Sequence, residues 1–85
     1  MEKQWLPGGG WFDREGARSW SDETHAPTNE TLFLTKRDHW ILQYYLHGSR
    51  TFLAVIEPGQ AADWLSRRGH AFPSVLETQI AALEI

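Results

Sequence analysis

The chain has 85 residues, a net charge of −3 and no cysteine, which bounds it to one domain at most and excludes a disulfide framework or any cysteine-ligated zinc or iron–sulfur centre. Its eight basic residues are scattered, with only Lys36-Arg37 and Arg67-Arg68 adjacent, so the basic stripe of a nucleic-acid binder is missing. Five Trp, four Phe and two Tyr supply the large side chains that a small core depends on, each able to bury roughly 150–250 Å².

In chain order, residues 1–10 read as a flexible leader, because Pro7-Gly8-Gly9-Gly10 carries much conformational freedom. The domain is expected to span 11–85. Asp13 is placed to N-cap a short helix, with Phe12, Ala17 and Trp20 at helical spacing and Gly16 weakening it. Residues 21–30 are turn formers and read as a loop. Thr31-Leu32-Phe33-Leu34-Thr35, Trp40-Ile41-Leu42-Gln43-Tyr44-Tyr45-Leu46 and Thr51-Phe52-Leu53-Ala54-Val55-Ile56 are strand-like runs. Lys36-Arg37-Asp38 and His47-Gly48-Ser49-Arg50 form the turns between them. Together they predict an antiparallel meander at about 31–35, 39–46 and 51–56. Trp40, Leu42, Tyr44 and Leu46 share one face of the second run and Ile41 and Tyr45 the other, so both faces should be partly covered. Pro58 then opens a helix through about residue 68, with Ala61, Trp64 and Leu65 at helical spacing and Gly69 as its stop. A second helix is expected at about 74–83, with Leu76, Ile80 and Leu83 on its apolar stripe. The fold class is therefore α+β, a three-stranded antiparallel β-meander with two C-terminal helices and a short N-terminal helix.

Chemistry is harder to find. His25, His39, His47 and His70 never fall three or four residues apart, so no helix offers a two-histidine metal face. His39 and His47 are separated by roughly 26 Å of extended strand. No metal or cofactor is expected. Asp13, Glu15, Asp22 and Glu23 alternate with Arg14 and Arg18 in the manner of a solvated face. Nucleophile motifs are missing, and Gly8-Gly9-Gly10 lacks the Lys-Ser or Lys-Thr of a phosphate loop. Arg67-Arg68 at a helix C-terminus offsets the helix dipole by about 0.3–1 kcal/mol each. The reading is that the chain is not an enzyme and has no catalytic residues. The alternative is a small enzyme or ligand-binding domain using Asp13 or Glu15 with His25.

The aromatics carry the functional expectation. Trp40 and Trp64 are assigned to packing, and Trp11 and Trp20 to covering the second sheet face. Trp5, Tyr44, Tyr45 and Phe52 are the interface candidates, since exposed aromatics give large contact area at low entropy cost. Thr51–Ile56 is uncharged and proline-free and, as an edge strand, would be open to strand addition. The expected role is a protein-binding or regulatory module that contacts a protein partner or a second copy of itself. Neither nucleic acid nor membrane is an expected partner, since no apolar run approaches the ~20 residues of a membrane span. With no signal-peptide layout at the N-terminus, the expected location is the cytoplasm.

Glu30-Thr31-Leu32-Phe33-Leu34-Thr35-Lys36 followed by Trp40-Ile41-Leu42, and then Gln60-Ala61-Ala62-Asp63-Trp64-Leu65, resembles a pattern in small uncharacterised proteins of bacterial genomes and mobile elements. In that pattern a Glu-Thr-Leu-aromatic strand leads by a hairpin to an aromatic strand. A third strand then runs into an Ala-x-x-Trp-Leu helix. The resemblance covers about residues 11–70 and implies an α+β layout with no known activity.

Overall fold

A computed structural model of the protein describes residues 1–22, 30–46 and 50–85, and the side chain of Leu46 is not among what it describes. The chain divides into two compact units, 1–55 and 56–85. The first holds two antiparallel sheets. Strands β1 (Lys3–Trp5) and β2 (Trp11–Asp13) form one sheet. Strands β3 (Arg18–Asp22), β4 (Glu30–Leu34), β5 (Trp40–Leu46) and β6 (Arg50–Ile56) form the other, in that order. The second unit contains helices α1 (Pro58–Arg67) and α2 (Ser74–Ala81).

The mixed α+β class is as expected from the sequence, but the three-stranded meander is not the whole sheet. β4, β5 and β6 fall where three strands were predicted, and β3 adds a fourth beside β4 through the pairs Arg18↔Leu34 to Asp22↔Glu30. The short N-terminal helix is therefore replaced by β2, a turn and β3. Helical spacing was misleading because Phe12, Ala17 and Trp20 do not share a side. Phe12 and Ala17 join a cluster with Phe33 and Ile41, whereas the Trp20 ring lies 5.7 Å from that of Trp40. Residues 1–10 contain β1, and regular structure begins at Lys3. Of the predicted 21–30 loop, Ser21 and Asp22 belong to β3 and Glu30 to β4, and of the predicted His47–Arg50 turn, Arg50 begins β6; residues 23–29 and 47–49 lie outside the described residues.

Strand alternation sorts the larger sheet into two faces. The pairs Leu32↔Leu42 and Leu34↔Trp40, with Trp20↔Leu32, define one face. The pair Phe33↔Ile41 defines the other, where Phe12, Leu6, Ala17 and Leu53 pack. Trp11 and Trp20 were expected to cover this second face; Phe12 does so instead, because Trp11 points to solvent and Trp20 pairs with Leu32 on the opposite face.

The β4–β5 turn has no glycine, and its solution is local. Asp38 takes a left-handed φ of 63°, a region in which Asp is enriched. The Asp38 N–H donates to Thr35 O, and Thr35 N–H donates to His39 O, the bonding of a three-residue hairpin loop. The Thr35 hydroxyl oxygen accepts from the N–H groups of Arg37 and His39, at 3.3 and 3.1 Å.

Within the second unit, Pro58 occupies the first turn of α1. The Gln60 side-chain oxygen accepts the Glu57 N–H at 2.8 Å, one arm of a capping box. At the other end Gly69 has φ 72°, its N–H bonds to Ser66 O, and the His70 N–H bonds to Leu65 O. Those two bonds make a Schellman stop. Ala61, Trp64, Leu65 and Leu76 are buried. Arg68 lies 4.1 Å over the Trp64 ring, and His70 stacks on that ring at 6.2 Å.

Candidate functional site

The most site-like region of the first unit is built around the β1–β2 hairpin. Pro7 and the glycines close it: Gly8 and Gly9 have φ of 94° and 103°, which only glycine adopts without strain. Leu6 N–H donates to Gly10 O at 2.7 Å. Leu6 and Gly10 are thus a hydrogen-bonded pair, and the next pair, Trp5↔Trp11, is a non-hydrogen-bonded one, where side chains come closest. Trp5 and Trp11 are 59% and 44% exposed. The Lys3 ammonium lies 5.8 and 4.7 Å from their ring centroids, so a cation joins the two indoles. Phe12, one residue on, turns inward to meet Phe33 at 5.4 Å.

Asp13 ends β2 and ties three segments together. Its carboxylate accepts from the Lys36 ammonium at 2.6 Å and from the Glu2 N–H at 3.0 Å, and the Gly16 N–H also donates to it. The Lys36 bond is the chief cause, and the Glu2 bond the next, of a carboxyl held at about 2 against an ordinary value of 3.8, while partial burial pushes the other way. Gly16 makes this approach sterically possible. A Cβ there would meet Lys36 Cε and Asp13 Oδ2 well inside contact distance.

Between this hairpin and the β4–β5 turn lies an open groove of about 550 Å³, within the size range of small-molecule sites. The buried Phe12 and Ile41, with Leu6 and Val55, line its apolar part, and Lys36, Arg37 and His39 of the β4–β5 turn line it as well. Val55 is 61% exposed. Lys36 is held by Asp13. No ion pair engages the Arg37 guanidinium among the described residues.

The residues singled out from sequence are not brought into one surface. Tyr44 and Phe52 stack at 5.7 Å with ring planes 21° apart. Tyr45, 43% exposed, alternates to the opposite face, and Trp5 stands on the other sheet beside Trp11. Of the proposed acid–base set, Asp13 is held by Lys36, and Glu15 lies 3.1 Å from the Met1 ammonium. His25 and His47 lie outside the described residues. Among the described residues no group of three potential ligands could hold a metal, and no helix is long and apolar enough to cross a membrane. Sequence reading missed the groove and the Lys36–Asp13 pair. Their residues lie far apart along the chain, and only the paired placement of the hairpin and the β4–β5 turn joins them.

No protein-family model matches the chain, and neither any curated protein nor any solved structure resembles it significantly.

Proposed function

We propose that this chain is a non-enzymatic binding module that works by strand addition at β6, with a second copy of itself as the partner. One observation carries the reading: β6 is a terminal strand of the four-stranded sheet, paired to β5 alone among the strands. A terminal strand leaves outward N–H and C=O groups available for pairing. Between Arg50 and Glu57 the strand has neither charge nor proline, the devices that usually block edge pairing. Its ends are self-complementary. A two-fold antiparallel pairing brings each Arg50 to the end of the partner strand where Glu57 follows, as an isologous dimer requires. The Tyr44–Phe52 stack beside the edge adds aromatic contact area. The Asp13 and Glu15 carboxylates are each engaged by a cation, which favours a binding role over acid–base catalysis.

Sedimentation equilibrium over a range of concentrations tests this. The wild type should approach twice the 9.8 kDa chain mass. Thr51→Lys, at an exposed edge position, should return it to monomer with an unchanged circular-dichroism spectrum. A wild type that stays monomeric at every concentration, or a Thr51→Lys variant that dimerises equally well, would overturn the proposal.

A further inference from the structure

We propose that the groove between the β1–β2 hairpin and the β4–β5 turn binds an apolar monocarboxylate, its head group paired with Arg37 and its hydrocarbon body lying along Phe12, Ile41, Val55 and Leu6. Chemistry of the wall sets the body of the ligand. Leu6, Phe12, Ile41 and Val55 present aliphatic and aromatic carbon, which rewards apolar area on the ligand. Part of that surface, Val55, stands exposed.

Charge at the mouth sets the head group. The chain as a whole is acidic, at −3, yet this rim gathers Lys36, Arg37 and His39 against one carboxylate. That carboxylate, Asp13, is neutralised by Lys36 at 2.6 Å. Among the described residues no ion pair engages the Arg37 guanidinium, and its planar fork of donors matches a carboxylate in bidentate fashion. The rim is firm for a turn, because the Arg37 and His39 N–H groups are both held by the Thr35 hydroxyl. A cationic amphiphile would meet like charge there, and a neutral one would gain only the wall. This site lies on the sheet face that carries Ile41, and its head-group rim is built from the β4–β5 turn rather than from β6, so the assignment does not rest on self-association.

Calorimetric titration of the full chain with decanoate below its micellar concentration tests the assignment, with decanol and decylammonium as matched probes. Methyl chemical shifts report the location. Decanoate should bind saturably at one site per chain and move the methyl signals of Leu6, Ile41 and Val55, with decanol at least tenfold weaker and decylammonium weaker still. Arg37→Met should lower decanoate affinity about tenfold or more, as expected for loss of a charge-assisted bond, and leave decanol unchanged. Val55→Trp should fill the groove and abolish binding of both. The assignment is overturned if decanoate shows no saturable binding, if decanol binds as tightly, if Arg37→Met leaves decanoate affinity intact, or if the shifts map elsewhere. Because Arg37 is exposed, its variant keeps the test decisive even where Val55→Trp fails to fold.

Discussion

Asp13 shows how a single carboxylate can organise a small protein without disulfides. Its folded value of about 2 lies below the ordinary 3.8. The stabilisation it contributes is therefore present in full above 3.8 and is lost as pH falls through about 2. In Lys36→Met the carboxyl should rise toward 3.8. The loss of stability across that acid window should then be shallower than in wild type, as measured by urea unfolding at a series of pH values. Gly16→Ala should give the same displacement by a different route, since a Cβ there must push Lys36 Cε away. Carboxyl NMR titration of Asp13 reads it directly, and a value still at about 2 in the alanine variant would show that Lys36 can keep its bond while moving aside. Thr35 is the other residue whose side chain replaces missing backbone partners. Thr35→Val removes the acceptor of two N–H groups at a position only 8% exposed. It should cost about 1–3 kcal/mol by denaturant unfolding.

Elements differ in how openly the sequence announces them. β4, β5 and β6 are runs of β-branched and aromatic residues, and α1 is bracketed by Pro58 and Gly69, so their existence follows from local chemistry. The first three strands carry weaker signals. β1 and β2 are three residues each, and both present a Trp to solvent. β3 reads Arg-Ser-Trp-Ser-Asp, with one apolar residue and no pattern to detect. Its extended form is settled by pairing with β4, a tertiary effect that overrides local preference. The same gap hid the groove, whose wall and rim need the hairpin that β1 and β2 make. For α1 the start signal is explicit. Gln60→Ala removes the acceptor for the Glu57 N–H and should lower stability by about 0.5–2 kcal/mol, visible as a reduced thermal midpoint with the helical spectrum otherwise retained.

At the scale of the molecule, stability has to come from a few large buried side chains. Leu76 is fully buried in the second unit and Leu32 in the first. Leu76→Ala should cost about 2–5 kcal/mol. That is a large share of the roughly 5–15 kcal/mol typical of natural domains, so denaturant curves should show a pronounced drop in midpoint. With no cysteine in the chain, unfolding and refolding require no redox step. The Trp20 and Trp40 rings offer a further means of observation. Two indoles with centroids 5.7 Å apart and planes 32° from parallel couple their electronic transitions, producing a paired positive and negative band in circular dichroism that neither chromophore gives alone. Trp20 belongs to β3 and Trp40 to β5, with β4 between them, so the couplet exists only while β3 is docked. Trp20→Phe should erase it, and its decay during unfolding would time the release of β3 independently of the rest of the sheet.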